Sequence, residues 1–201
     1  MSKLLYIKAN AKPEGLSRTF KVSDSFIKAY KENHPEDTII TLDLYEEGIK
    51  LLSSDDINNI FGPKTNESRN HPILKYAYQF AEVDKFVIAE PMWNLSMPAI
   101  LKAYIDYICV TGITFKYTEQ GPVGLCTGKK AINISSRGGN YSIEPFSAYE
   151  MGDRYLRTIF GFLGITDFTT IGIDGLDVMG NDTDKILENA IKDAKDAARN
   201  F

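Results

Sequence analysis

Short apolar runs alternate with stretches of helical periodicity along the whole chain. The runs have the length and β-branched content of buried strands and occupy residues 4–7, 38–42, 85–89, 130–135 and 168–173. Between and after them, apolar side chains recur every three or four residues, over 20–30, 72–81, 97–108, 149–163 and 186–197. Strands that alternate with helices favour a parallel sheet with helices on both faces, because right-handed crossovers carry each helix over the sheet.

The predicted architecture is an α/β fold with five parallel strands in the order 2-1-3-4-5, in one domain of residues 1–201. In that order the loops that leave strands one and three part, so a crevice opens at their carboxyl ends. Three loops are expected to line it: 10–16, 91–96 and 136–141. The polar segment 46–69, with a short helix at 54–60, is expected to be an excursion from this domain.

Composition and charge disfavour several classes of protein. The net charge is -4 and the pI about 5.3, without a dominant cluster of Lys and Arg, so nucleic-acid binding is not expected. The first apolar run is too short for a signal sequence and no later run approaches a membrane span, so we expect a cytoplasmic protein that does not insert into membranes. Cys109 and Cys126 have no metal-ligand spacing with His34 or His71, so they are expected to be plain thiols and no metal site is predicted.

The loop after the third strand is the most informative stretch. It reads Pro91-Met92-Trp93-Asn94-Leu95 and leads to Pro98, which suits the first turn of the next helix. An aromatic ring beside amide groups can support a planar heteroaromatic cofactor. Simple packing of Trp93 on the next helix is an equally good interpretation of this loop alone.

The loop after the first strand suggests a phosphate site. Ser17 suits the N-cap of the first helix, and the hydroxyl of Thr19, the cation of Arg18 and the free amides of the first turn could hold one phosphate. The loop has no Gly-x-Gly-x-x-Gly pattern, which disfavours a dinucleotide. A capped helix with a solvated arginine explains these residues equally well.

The loop after the fourth strand contains adjacent glycines. Ser136-Arg137-Gly138-Gly139 could direct backbone amides at a polar ring edge and stabilise negative charge there, although Gly-Gly after a strand is more often a simple turn. For a flavin that edge is N1 and C2=O.

Taken together, residues 91–95, 136–139, 112–122 and 161–165 give the chain a resemblance to a known family. It resembles the FMN-dependent NADH azoreductases and quinone oxidoreductases over nearly its whole length. This resemblance implies a flavodoxin-like fold, a homodimer with two active sites at the subunit interface, and one non-covalent FMN per subunit.

The resemblance also implies roles for individual residues. The FMN-binding positions would be Asn10, Ser17, Arg18, Thr19, Pro91, Met92, Trp93, Asn94, Leu95, Ser136, Arg137, Gly138 and Gly139; the substrate-side positions would be Tyr117, Tyr141 and Phe162. Asn10 and Thr19 stand where the family commonly has serine, and Trp93 where tyrosine is more frequent. The first two changes keep a hydrogen-bonding side chain, and the third bears on substrate range.

The implied reaction is hydride transfer from NADH or NADPH to FMN, followed by reduction of a quinone or azo compound in the same pocket, in a ping-pong scheme. No side chain is assigned as an obligatory acid or base. His34 and His71 lie away from the predicted crevice, which disfavours a Ser-His-Asp hydrolase. The alternative is a flavodoxin-type electron carrier, which would not need the long connection 110–129. A phosphoacceptor signalling domain would need acidic residues after the first strand, where Lys8-Ala9-Asn10 stand.

Overall fold

The computed structural model describes residues 1–13 and 15–201; Glu14, part of the predicted first loop, lies outside them. The strands are β1 (Lys3–Lys8), β2 (Thr38–Asp43), β3 (Lys85–Pro91), β4 (Phe115–Thr118), β5 (Gly121–Gly124), β6 (Lys130–Ser136) and β7 (Asp167–Ile173). The helices are α1 (Arg18–Asn33), α2 (Ser54–Phe61), α3 (Leu74–Glu82), α4 (Ala99–Ile108), α5 (Gly152–Phe162) and α6 (Thr183–Asn200), with 3-10 turns at Asn66–Asn70 and Phe146–Tyr149. Among the helices of these described ranges, none is both long and apolar enough to cross a bilayer.

Five strands form one parallel sheet in the order β2-β1-β3-β6-β7. Counted in chain order, this is the predicted order 2-1-3-4-5, which is confirmed. Ile7 of β1 lies opposite Leu42 of β2 on one side and Ile88 of β3 on the other. The apolar central strands are buried on both faces, as expected where helices cover both.

The sheet separates two hydrophobic cores. On one face α1 and α6 cover the strands with side chains such as Phe26 and Ala194. On the other face α3, α4 and α5 pack around an aromatic group in which Phe80 stacks on Phe86 at 4.2 Å and Phe160 meets both edge-on. Burial of one such ring stabilises the folded state by about 1.5–3 kcal/mol. Because many such side chains pack on both faces, the sheet is held firmly, and so are the strand ends from which the loops leave.

Two elements differ from the sequence prediction. The connection 110–129 contains an antiparallel hairpin of β4 and β5, which has too few apolar residues to be predicted as strands. The helix predicted from residue 149 begins at Gly152, because Glu150 Oε1 accepts hydrogen bonds from the amides of Gly152 and Asp153 at 3.1 and 2.9 Å. The carboxylate thus satisfies first-turn amides of α5 and marks its start.

Candidate active site

A cavity of about 200 Å³ opens at the carboxyl edge of the sheet, where β1, β3 and β6 end. The sequence-predicted cofactor residues in its wall are Asn10, Arg18, Thr19, Pro91, Met92, Trp93, Ser136, Arg137 and Gly138. Three loops far apart in sequence therefore meet where the strand order reverses, as expected for a ligand site in an open α/β sheet. Ser17 and Gly139 adjoin lining residues in sequence, whereas Asn94 and Leu95 lie outside the cavity wall.

Lys12, Leu176 and Asp177 also line the cavity, and the sequence did not single them out. Lys12 lies within the predicted first loop. Leu176 and Asp177 belong to the segment after β7, which is the fourth loop at the same sheet edge. That position is the signal that could have found them, because all carboxyl ends of a parallel sheet lie at one edge.

The N-terminus of α1 forms one side of the cavity. Ser17 is the N-cap, as predicted: its Oγ accepts a hydrogen bond from the Phe20 amide at 3.1 Å and another from Asn10 Nδ2 at 2.8 Å. Thr19 Oγ1 lies 2.6 Å from Ser136 Oγ, so the helix start is joined directly to the third loop. First-turn amides and buried hydroxyls arranged in this way suit a phosphate group.

Arg18 lies at the rim of this site and is already paired. Its Nη1 donates to Asp177 Oδ1 at 2.8 Å and to the Leu176 carbonyl at 3.0 Å. The pair is solvent-accessible, so it contributes little to stability. The pair matters for ligand binding, because an anion that enters the cavity would compete with Asp177 for the Arg18 guanidinium.

The loop after β3 is a tight turn. Trp93 and Ser96 exchange two backbone hydrogen bonds of 2.7 and 3.0 Å, and between them Asn94 and Leu95 have φ of 49° and 68°. Positive φ at both central positions is typical of a type I′ turn, which is uncommon for leucine and costs energy. The Leu95 carbonyl accepts from the Met151 amide at 2.9 Å, which ties the turn to the start of α5.

Trp93 lines the cavity and keeps 38% of its surface exposed. The turn therefore presents the indole to the site, and simple packing on α4 does not account for it. The Met92 amide donates to the Ser136 carbonyl at 2.8 Å, so this platform and the third loop are held as one unit.

The third loop, which lines the cavity through Gly138, has two amides without a partner among the described residues. The carbonyls of Gly138 and Gly139 accept from Asp177 and Gly175 at 2.9 Å, whereas the amides of the two glycines have no hydrogen-bond partner among the described residues. At Gly138 a Cβ atom would lie 2.7 Å from Asp177 Oδ2, so a larger residue would have to displace Asp177. Free amides beside a position that disfavours a side chain suit an electron-rich ring edge.

The Arg137 side chain points away from those amides. The residue is 4% exposed, and its guanidinium contacts Ser142 Oγ at 3.2 Å, Asp174 Oδ1 at 3.5 Å and Glu150 Oε1 at 3.9 Å. Arg137 thus lines the cavity while its charge holds together three segments behind the loop. A second cavity of about 420 Å³ lies on that side, lined by Arg137, Tyr141 and Glu150 among others.

Two of the predicted substrate residues lie outside the first cavity and close to each other. Tyr117 of β4 and Phe162 of α5 both pack on Phe115, with ring centroids 5.5 and 4.9 Å from it. They remain 72% and 36% exposed, so they form an aromatic surface that this chain does not cover. Tyr141, the third, lines the second cavity instead.

The cysteines and histidines take no part in the site. Burial raises the pKa of Cys109 to about 12 and that of Cys126 to about 11, so both thiols stay protonated and unreactive at neutral pH. His34 ends α1 at the opposite edge of the sheet, and His71 Nδ1 accepts from the Ile73 amide at 3.2 Å. The described residues that line the cavity therefore include no cysteine and no histidine.

Comparison with known proteins shows similarity over the whole chain. Residues 2–198 match the family model described as flavodoxin-like fold. The chain is 69% identical over 201 residues, the full length of both proteins, to the FMN-dependent NADH:quinone oxidoreductase 2 of Clostridium acetobutylicum. An azoreductase from Bacillus anthracis superposes with a TM-score of 0.90 at 38% identity, with 100% of each chain covered. A FMN-dependent NADH-azoreductase from the same species, solved in complex with FMN, superposes with a TM-score of 0.88 at 30% identity, over 100% of this chain and 99% of the other.

Proposed function

Because the chain belongs to the flavodoxin-like fold family and matches FMN-dependent oxidoreductases over its full length, we propose that it is an FMN-dependent oxidoreductase. It transfers a hydride from NADH or NADPH to quinones and azo compounds, and residues 1–201 form a single domain. The observation that carries the proposal is the cavity in which a helix N-terminus, an aromatic turn and free glycine amides meet.

The residues present fit FMN by their chemistry. Asn10, Ser17 and Thr19 with the amides of α1 would hold the phosphate, since they offer hydrogen bonds and the positive end of a helix dipole. Met92 and Trp93 would support the ring. The free amides of Gly138 and Gly139 would serve its pyrimidine edge.

When bound, FMN supplies the group that accepts a hydride equivalent from a nicotinamide and passes it to an acceptor. The chain's own contribution is to hold the reacting molecules in line and to stabilise negative charge near the Gly138 amide. No side chain in the cavity wall is required as an acid or base. The nicotinamide ring of the donor and the ring of the acceptor would both have to reach the same cofactor in one small cavity, so we expect them to bind in turn, in a ping-pong scheme.

A second copy of the chain would complete the pocket. Tyr117 and Phe162 are exposed on an aromatic surface outside the cavity, where a substrate pocket would need walls. We therefore include in the proposal a homodimer in which this surface of one subunit covers the site of the other. An exposed aromatic cluster is a frequent mark of a protein interface.

Steady-state kinetics test the proposed activity. The purified chain is loaded with FMN and assayed with NADH and NADPH, each against a quinone and an azo dye, with FMN-free chain as the control. The proposal predicts FMN-dependent oxidation of NADH or NADPH. It also predicts parallel double-reciprocal lines when the acceptor concentration is varied at several fixed concentrations of the nicotinamide. FMN uptake with no oxidation of either nicotinamide would instead identify an electron carrier, and failure to take up FMN would overturn the flavoprotein.

A further inference from the structure

Glu90 is a buried carboxyl group next to the candidate site in sequence. It precedes Pro91, which lines the cavity, and is 1% exposed near the end of β3. Its Oε1 is 3.4 Å from Asn133 Nδ2, a long hydrogen bond, and neither its Oε2 nor the nearby Ser135 Oγ has a hydrogen bond of normal geometry among the described residues. A buried acceptor without a partner is costly, and a carboxylate more so, which calls for an explanation.

The charged groups around Glu90 come from the segments that also build the site. Beyond the neutral Asn133 and Ser135 of β6, the nearest are Arg137 of the third loop and Glu150, which caps α5. Asp153 of α5 reaches the same cluster through Asn133 Nδ2, at 3.1 Å from its Oδ1. Neighbouring β1 presents apolar side chains on this face.

Together these surroundings raise the pKa of Glu90 to about 7. Burial is the largest cause and Glu150 acts in the same direction, while Ser135, Asn133 and Arg137 lower the pKa and offset part of the rise. Arg137 is shared with Glu150, Asp174 and Ser142, so little of its charge is available to Glu90. The carboxyl group therefore gains or loses its proton near neutral pH.

We propose that Glu90 is a positioning residue that exchanges a proton next to the third loop. It takes up the proton when negative charge arrives at the loop amides and releases the proton when that charge leaves. The inference rests on the proposed function, because the charge is the one that reduction adds to a bound FMN. One O–H bond forms on Glu90 and later breaks, and the proton comes from solvent and returns to it. The proposed path for this proton is the second cavity, which is lined by Arg137 and Glu150, the two charged groups nearest to Glu90.

The reason is electrostatic. Gly138 follows Arg137, the charged group of the third loop that acts on the buried Glu90, so negative charge at this loop offsets the charge of Arg137 and favours the protonated form of Glu90. Uptake of the proton neutralises the carboxylate and makes it easier for the site to accept charge. Glu90 thus acts on the cofactor through Arg137 and the loop, without touching the reacting atoms.

The test is the pH dependence of the midpoint potential of bound FMN, measured by spectroelectrochemistry between about pH 6 and pH 8. Wild-type protein is expected to show a steeper slope than Glu90→Gln, because one more proton is taken up per two electrons. Glu90→Asp, which keeps a carboxyl group, should restore part of the slope. Ile88→Val, a change two residues earlier on the same buried face, should leave the slope unchanged. Equal slopes for wild type and Glu90→Gln would overturn the proposal.

A second measurement separates this result from the proposed function. A carboxyl group whose pKa is raised in the fold stabilises the folded state fully below its ordinary pKa of 4.5, and this contribution is lost as pH rises to about 7. Thermal unfolding of wild-type protein without added FMN should therefore become easier from about pH 5 to about pH 7, and much less so for Glu90→Gln. Should FMN fail to bind, this profile still reports on Glu90; a flat wild-type profile would overturn the proton-holding role whatever the cofactor does. If Glu90→Gln does not fold, the wild-type profile alone still tests whether a group with a raised pKa is present in the fold.

Discussion

Gly138 lines the cavity beside Asp177, so a side chain at this position would change the cavity wall. A methyl group there would meet Asp177 Oδ2 at 2.7 Å, and the Asp177 side chain is largely exposed and free to move. We expect Gly138→Ala to keep the fold but to displace Asp177 and weaken FMN binding by about tenfold or more, equivalent to at least about 1.4 kcal/mol. Isothermal titration of FMN-free protein with FMN measures the change.

A second glycine gives the control for Gly138. Gly161 lies in α5 and has open space where a methyl group would stand, so Gly161→Ala should leave FMN affinity unchanged and stabilise the helix by up to about 1 kcal/mol. Equal affinities for Gly138→Ala and wild type would show that the third loop does not approach the cofactor.

Thr19 separates phosphate recognition from ring recognition. Thr19→Val removes the hydroxyl that contacts Ser136 Oγ at 2.6 Å and faces the cavity. A hydrogen bond to a charged group contributes about 1.5–3 kcal/mol, so the Kd for FMN should rise at least about tenfold. Riboflavin, which has no phosphate, should bind wild type and Thr19→Val alike; Thr158→Val, an exposed threonine of α5, is the matched control. A parallel loss of riboflavin affinity would argue against a phosphate contact at Thr19.

The sequence allowed such residues to be identified only where local rules determine them. Ser17 could be predicted as an N-cap because capping depends on the next three residues. The direction of the Arg137 side chain could not, because its partners Glu150 and Asp174 come from separate segments. Asp177 was missed for the same reason: its contact with Arg18 joins residues 159 positions apart.

The turn after β3 is the element on which the platform depends. Asn94 has φ of 49°, a region that asparagine and glycine tolerate and β-branched residues avoid. Asn94→Val should destabilise the protein by about 1–2 kcal/mol and displace Trp93, whereas Asn94→Gly should stay within about 0.5 kcal/mol of wild type. Denaturant unfolding gives the stabilities. Trp93, the single tryptophan of the chain, gives the emission spectrum of the platform itself. Similar stabilities for the two variants would contradict the left-handed turn.

Regular elements were predictable from the sequence in proportion to their apolar content. The strands of the large sheet carry runs of buried side chains, so their positions and order followed from pattern and topology. The hairpin of β4 and β5 has strands of four residues, and Gly121, Pro122 and Gly124 occupy most of the second. Its pairing depends on a tertiary contact: β5 approaches α5 so closely that a Cβ on Gly124 would overlap the Leu163 backbone.

The proposed homodimer gives a prediction for the whole molecule. Tyr117→Asp places a charge on the exposed aromatic surface, so it should leave the subunit folded but weaken its association and lower turnover. Lys116→Asp, on the opposite face of the same strand, changes the charge by more and should leave both intact. Light scattering after size exclusion measures the mass. A wild-type monomer with full activity would contradict a site shared between subunits.

The central claim is that this cavity holds FMN and passes electrons from a nicotinamide to an acceptor. The most direct measurement is the absorbance of the FMN-loaded protein under anaerobic conditions, first after addition of one equivalent of NADH and then of one equivalent of quinone. We expect NADH to bleach the flavin band and quinone to restore it, with neither change seen in the chain without FMN. A flavin band that NADH leaves unchanged, or that bleaches and is not restored by quinone, would contradict the claim.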